Sequence, residues 1–90
     1  MPTFCVPSLM KYYVDDQSEV QVNGGTIAQA LHDLTTRYPN IKTHILDSRG
    51  RLRRHVQLFV NKENIRSLNG VHTRLKESDK IILMASISGG

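Results

Sequence analysis

The amino-acid sequence predicts an α+β fold, in which one main helix packs across a mixed β-sheet. A single segment has the 3.6-residue rhythm of an amphipathic helix, and shorter segments on both sides of it alternate apolar and polar residues as strands do. The chain has 90 residues, of which 39% are hydrophobic and 22% are charged. This is enough for one domain and is typical of a chain that folds without a partner.

The first half of the chain is predicted to contain two strands and the helix. Thr3 to Val14 favours a strand interrupted near Pro7, and Ser18 to Asn23 favours a second strand that forms a hairpin with it. Thr26 and Gln29 match a capping box, so we expect the helix to begin there. Its buried stripe is Ile27, Ala30, Leu31, Leu34 and Tyr38, and Pro39 ends it.

The second half is predicted to be mostly strands. Residues 40–54 are expected to form a loop with a turn of helix near 41–46, and His55 to Asn61 alternates as a strand. Ile65-Arg66 is expected to be a short extended piece. Lys80 to Ile87 is rich in β-branched and apolar residues, which predicts a central strand paired on both sides. The sheet therefore has four to five strands.

Composition excludes several classes of protein. One cysteine, Cys5, cannot form an internal disulfide, and no segment has the pattern of a secretory signal, so we expect a cytoplasmic protein. No apolar run approaches the roughly 20 residues that span a bilayer, so no membrane partner is expected. The four histidines lack the paired spacing of a zinc site, so no bound metal is expected.

Other candidate sites have plainer explanations. Cys5 lies in an apolar strand pattern and is expected to be a small buried residue, and Asp15-Asp16 is typical of a turn. Gly24-Gly25 lacks the spacing of a phosphate-binding loop. The arginine-rich run from Arg49 to Arg54 is expected to be a solvated loop, and it supports a basic nucleic-acid-binding module only as a lesser alternative.

The sequence finishes with Gly89-Gly90, directly after a strand that contains the apolar run Ile81 to Met84. Glycines without a Cβ can pass through a channel too narrow for side chains. Two glycines alone favour an ordinary frayed terminus without a function. Together with the sequence that precedes them, they predict that the Gly90 α-carboxylate is a reactive group presented to other proteins. Because the sequence also begins with Met1, we expect a complete chain.

These features resemble the MoaD/ThiS family of sulfur carriers, which have the ubiquitin-like β-grasp fold. The resemblance covers nearly the whole chain. It rests on the helix that starts at Thr26-Ile27, on Val60-Asn61 at the end of a strand, on Ser78-Asp79 before the last strand, and on the final diglycine. It implies a β-grasp domain over 1–87 and a flexible tail over 88–90, comprising Ser88, Gly89 and Gly90. Within the family, residues 55–66 look most like the carriers that supply sulfur for cysteine biosynthesis.

The resemblance also implies the chemistry and the partners. An ATP-dependent adenylyltransferase of the ubiquitin-activating type (ThiF/MoeB type) would adenylate Gly90, a sulfur donor would convert it to a thiocarboxylate, and a synthase would accept the sulfur. The chain itself would bind no cofactor and would not be an enzyme, because the partner uses the ATP. Nucleic acid is not expected as a partner. A ubiquitin-like modifier that is joined to lysines through Gly90 remains the main alternative.

Strand alternation predicts where a partner docks. If Ile81 and Leu83 point to the core, then Ile82, Met84 and Phe59 share the outer face of the sheet. This apolar surface would bind the activating partner. The alternatives are that residues 40–54 cover it, or that it is the ordinary exposure of scattered apolar residues. The acceptor of the sulfur stays open between cysteine, thiamine thiazole, molybdopterin and a modified tRNA base.

Overall fold

In residues 1–85, five strands form one mixed sheet, and the helices cover one face of it. The computed structural model describes residues 1–85, so Ser88, Gly89, Gly90 and the predicted domain boundary after residue 87 lie outside the described residues. The strands are β1 (Thr3–Cys5), β2 (Glu19–Gln21), β3 (Val56–Val60), β4 (Glu63–Asn64) and β5 (Lys80–Ala85). The helices are α1 (Ile27–Arg37), α2 (Pro39–Ile45) and 3₁₀ helices at Ser8–Val14, Ile65–Ser67 and Gly70–His72.

The strand order is β2-β1-β5-β3-β4. β5 pairs in parallel with β1 and antiparallel with β3, while β2 and β4 pair antiparallel at the two edges. The prediction of a central last strand is therefore confirmed, as is the predicted hairpin of the first two strands. β5 therefore exchanges backbone hydrogen bonds with a neighbouring strand on each side.

The helix α1 begins where the capping signal predicts. Thr26 Oγ1 accepts a hydrogen bond from the backbone N–H of Gln29 at 3.2 Å, which satisfies one of the free donors of the first turn. The Gln29 side chain reaches back and accepts from the N–H of Gly25 at 2.7 Å. The predicted stripe is buried at Ile27, Ala30, Leu31 and Leu34, and Tyr38 packs against the same core.

The turn before α1 contains a glycine that no other residue can replace without strain. Gly24 has φ +157°, and a Cβ built on it would lie 2.6 Å from the Ala30 nitrogen and 2.9 Å from the Gln29 carbonyl carbon. The chain therefore packs directly against the backbone of α1 at this point. Gly25 has no such contact, since its nearest neighbour to a Cβ is Gln29 Oε1 at 3.5 Å.

The predicted turn of helix in residues 40–54 is α2. Pro39 ends α1 and occupies the first turn of α2, where its missing N–H has no cost. Ile41 and Ile45, four residues apart, are both completely buried. This segment therefore packs in the helical layer, against α1 and the first 3₁₀ helix.

Two strand predictions are wrong. Only Thr3–Cys5 of the first predicted strand is extended, and Ser8–Val14 is a 3₁₀ helix that buries Met10 and Val14 and stacks Tyr13 on His44 with ring centroids 4.2 Å apart. Tertiary contacts override the β-propensity of this segment. Ile65–Ser67 is also a 3₁₀ helix, because Asn64 Oδ1 accepts from the N–H of Arg66 and caps it.

In residues 1–85 there is no helix with the length and apolar character needed to cross a membrane.

Candidate functional site

Ala85, the last described residue, lies at the side of the sheet where three neighbouring strands each have one of their ends. We call this the C-terminal edge: β1 and β5 end there, β3 begins there, and Val56 is the partner of Ala85 in the antiparallel register. A groove of about 350 Å³ opens at this edge, lined by Pro7, His55, Gln57, Leu83, Met84 and Ala85. Residues 86–90 follow from this position.

A hydrogen-bond cluster fixes β5 at its opposite end. Asn61 takes a left-handed conformation with φ 58°. Its Nδ2 donates to Asp79 Oδ1 at 3.1 Å, and its Oδ1 accepts from the backbone N–H of Lys80 at 3.1 Å. Asp79 in turn accepts from the N–H of Lys76 at 2.8 Å. The two motifs that include Asn61 and Asp79 therefore hold the start of β5 against the end of β3.

The outer face of the sheet carries the apolar residues that alternation predicts. Ile82 is the direct partner of Phe59 on β3 and of Cys5 on β1, and Met84 is the partner of Gln57. The side chains of Phe59 and Ile82 are half-buried, whereas Met84 is 55% exposed. Their neighbours along the strands, such as Leu83, are buried in the core. We call Phe59, Ile82 and Met84 the outer patch.

Residues 40–54 do not cover the outer patch, since Met84 is exposed. Ile41 and Ile45 anchor that segment in the helical layer, on the opposite side of the sheet. The alternative in which the loop hides the patch is therefore wrong. Whether Phe59, Ile82 and Met84 bind a partner stays a prediction.

Cys5 is half-buried on the outer face beside Ile82, so the prediction of a small buried residue is wrong. Partial burial and the negative charge of Glu19 raise the pKa of the Cys5 thiol, although Lys80 opposes this. A thiol with a raised pKa is mostly protonated near neutral pH and is a poor nucleophile. The raised pKa therefore argues against Cys5 as a nucleophile.

The titratable side chains of residues 1–85 do not gather into a metal site. No three His, Cys, Asp or Glu side chains in this part of the chain lie close enough to hold an ion. His44 stacks on Tyr13, and His55 lines the groove at the C-terminal edge. The sequence prediction missed His55 and Pro7 as neighbours of Ala85, because their position depends on strand register.

The fold and the position of β5 define a class of protein. A mixed sheet of this order, crossed by one main helix and with a central last strand that leads to the C-terminal segment, is the ubiquitin-like β-grasp fold. The model of the ThiS family matches residues 8–90. The chain therefore belongs to the ThiS family.

Individual relatives agree with this assignment. The sulfur carrier proteins CysO of Mycobacterium tuberculosis and Mycobacterium bovis are 28% identical over 90 residues, which is 98% of this chain and 97% of theirs. The crystal structure of the M. tuberculosis CysO has a TM-score of 0.87 at 26% identity and covers 97% of this chain and 100% of that one.

Two further solved structures share the fold. The small archaeal modifier protein 1 of Methanosarcina acetivorans has a TM-score of 0.86 at 27% identity and covers 99% of this chain and 95% of that one. A chain of the BexX/CysO complex of Amycolatopsis orientalis has a TM-score of 0.89 over the full length of both chains. At 22% identity, that second likeness supports the fold alone.

Proposed function

We propose that this protein is a sulfur carrier for cysteine biosynthesis, and that it carries the sulfur as a thiocarboxylate on Gly90. The observation that carries the proposal is the ThiS-family match over residues 8–90, which includes the final diglycine. The similarity to sulfur carrier proteins CysO over nearly the whole chain supports it. The central position of β5 adds a physical argument, because a strand paired on both sides is a rigid base for the segment that follows it.

The carboxylate must be activated before it can accept sulfur. A free α-carboxyl has a pKa of about 3.3–3.7, so near neutral pH it is an anion that resists nucleophiles. In the proposed reaction a Gly90 carboxylate oxygen attacks the α-phosphorus of ATP and pyrophosphate leaves. A persulfide sulfur on the donor then attacks the acyl carbon and AMP leaves. A donor thiol finally cleaves the S–S bond, which reduces the transferred sulfur and oxidises the donor to a disulfide.

The chain contributes the acyl group and the docking surface. We propose that it binds no cofactor of its own and is not the catalyst. We propose that two other proteins carry out the remaining steps. A ubiquitin-activating-type adenylyltransferase of the ThiF/MoeB type binds ATP, and a separate synthase accepts the sulfur.

A partner that binds Gly90 needs a contact surface larger than Gly90 itself. Gly89 and Gly90 have no side chains that a partner could bury, so most of the binding energy has to come from other parts of the chain. The outer patch, which runs along β5 toward the C-terminal segment, supplies apolar area that a partner can bury. Phe59, Ile82 and Met84 are therefore proposed to bind the activating partner.

Charged substitutions in the outer patch test this role. Phe59→Asp and Met84→Asp are expected to lower kcat/KM for pyrophosphate release by the activating enzyme about 30-fold, the effect of losing a contact worth about 2 kcal/mol. Ala28→Asp is the control, because Ala28 is exposed on α1 in the opposite layer. An unchanged rate in both outer-patch variants would exclude this docking surface.

Intact-mass spectrometry of the protein from its native cells tests the proposed function itself. A thiocarboxylate replaces one oxygen by sulfur and adds about 16 Da, and deletion of Gly90 should abolish the shift. A protein that retains its partner and full cellular function without Gly90 would be a binding module, and the carrier proposal would be wrong.

A second function shares the first chemical step. The likeness to small archaeal modifier protein 1 favours a protein modifier, in which the acyl-adenylate ends as an isopeptide bond to a lysine. Denaturing immunoblots of native-cell extracts separate the two functions. A ladder of conjugates that depends on Gly90 supports the modifier, and a single band with the sulfur mass supports the carrier.

A further inference from the structure

The positive charge of this protein is concentrated in one segment. Residues 40–55 contain five of the 12 Lys and Arg residues but one of the eight Asp and Glu residues, so the segment has the same net charge, +4, as the whole chain. The rest of the chain is balanced. Four of these five cations lie between Arg49 and Arg54. We call residues 47–55 the basic loop.

The basic loop is folded, and it presents its arginines to solvent. Asp47 Oδ1 accepts hydrogen bonds from the backbone N–H groups of Arg49 at 2.8 Å and Arg51 at 3.0 Å, and Leu52 packs on the core. The side chains of Arg49, Arg51 and Arg54 are exposed. Arg53 instead donates through Nε to the Thr43 carbonyl at 2.8 Å, which ties the loop to α2.

The exposed arginines are not used inside the described part of the molecule. Across residues 1–85 the ion pairs are Arg37 with Asp33 and Lys80 with Glu19, and neither includes the basic loop. The one carboxylate in the loop, Asp47, is held by backbone amides. The charge of the loop is therefore available to another molecule.

The basic loop ends at the C-terminal edge. Arg54 and His55 lead directly into β3, whose first residue, Val56, is the strand partner of Ala85. Neighbouring strands lie about 4.7–4.9 Å apart. However residues 86–90 are arranged, five residues span at most about 18 Å. A protein that receives Gly90 must therefore come within that distance of Ala85, close to Arg54 and His55, which directly precede the strand partner of Ala85.

We infer that the basic loop docks on an acidic surface of the enzyme that activates Gly90. This inference rests on the proposed function, and it specifies in addition that the partner's docking surface is negatively charged. Exposed charges at the rim of an interface act mainly on the rate of association, because they steer the two proteins into register before the apolar contacts form. The basic loop would bring the partner to the C-terminal edge, and the outer patch would hold it there.

A nucleic acid would also be attracted to four arginines. The position of the loop favours a protein, because Arg54 and His55 directly precede the strand partner of Ala85, and binding of a nucleic acid has no reason to require that edge. Direct binding of nucleic acid is therefore one of the outcomes that the experiment includes.

The test compares two variants of equal charge. Arg51→Glu with Arg54→Glu alters the basic loop, and Lys62→Glu with Lys76→Glu alters two exposed lysines at the opposite end of β5. Both variants lower the net charge by the same amount. Urea unfolding of each establishes that it is folded. The measured quantity is kcat/KM for ATP-dependent pyrophosphate release with the host's activating enzyme, at about 50 mM and about 500 mM NaCl.

We expect the basic-loop variant to lose about tenfold or more at low salt and to come within about twofold of wild type at high salt. The lysine variant should stay within about twofold of wild type at both. Equal losses in the two variants, or a loss that salt does not relieve, would overturn the inference while leaving the proposed function intact. No pyrophosphate release from the wild type would overturn both.

Fluorescence anisotropy with a labelled single-stranded RNA and a labelled DNA duplex completes the test. Binding tighter than about 1 μM near 150 mM salt, lost in the basic-loop variant, would assign the arginines to nucleic acid and overturn the inference. Weak binding that both variants share would support a protein partner.

Discussion

Replacement of Gly24 by alanine should remove a large part of the free energy of unfolding of this domain, whereas the same change at Gly25 should not. The added methyl group at residue 24 would lie 2.6 Å from a backbone nitrogen of α1, in a backbone conformation with φ +157°. Such strain costs about 1–3 kcal/mol, and overpacking costs about 1–3 kcal/mol more. A domain of this size has roughly 5–13 kcal/mol of stability in total. We therefore expect a loss of about 2–6 kcal/mol.

The neighbouring glycine is the matched control. A methyl group at Gly25 meets only Gln29 Oε1, at 3.5 Å, so Gly25→Ala should change the stability by no more than about 0.5 kcal/mol. Urea unfolding followed by circular dichroism measures both. With an m-value of about 1–2 kcal/mol per M, the midpoint of Gly24→Ala should fall by at least about 1 M. Equal midpoints for the two variants would refute the packing argument.

Three further predictions concern single side chains. Thr26→Ala removes the cap of α1 and should cost about 1 kcal/mol in urea unfolding, while Thr36→Ala on the exposed face of α1 should not; equal effects would contradict the capping role. Hydrogen bonds from the Arg51 and Arg49 amides hold the pKa of Asp47 below its ordinary value of 3.8. The stability that this contributes is present above the unfolded pKa and is lost as pH falls through the lower folded pKa, so a carbon NMR titration should give a midpoint below that of the urea-unfolded chain. Burial raises the pKa of the Cys5 thiol, so its alkylation by iodoacetamide should reach half-maximal rate at a higher pH in the folded protein than in urea, and coincident profiles would contradict this.

Local signals were sufficient to predict α1 and β5. The cap at Thr26 and the 3.6-residue stripe act within a few residues of each other, so no tertiary information is needed to place α1. The β-branched and apolar run of β5 predicted a strand that is paired on both sides, which the structure confirms, although Ile82 and Met84 leave its outer face partly exposed. Alternation along β3 and β5 likewise placed Phe59, Ile82 and Met84 on one face.

The errors have a common physical cause. Ser8–Val14 has the composition of a strand, but Met10 and Val14 are buried with the four-residue spacing of a helix, and the ring of Tyr13 lies on His44, which is 31 positions away. The spacing of Met10 and Val14 was a signal that favoured a helical turn. The contact with His44 was not predictable from the segment, because it depends on how α2 packs.

The neighbours of Ala85 depend on register in the same way. Pro7, His55 and the basic loop meet the end of β5 only because β1 runs parallel to it and β3 runs antiparallel. A sequence pattern shows which residues share a face of one strand, but it does not show which residue of the next strand lies opposite. The arginine run was therefore visible in the sequence, while its place beside the C-terminal edge was not.

The pairing of β5 on both sides has a mechanical consequence. A machine that pulls on the C-terminal end, such as an unfoldase or a protease, draws β5 along its own axis between β1 and β3. It must then break many backbone hydrogen bonds at once, whereas a strand at the margin of the sheet would be peeled away one bond at a time. The central position of β5 therefore makes the domain resistant to unfolding by a force applied at the C-terminal end of this strand.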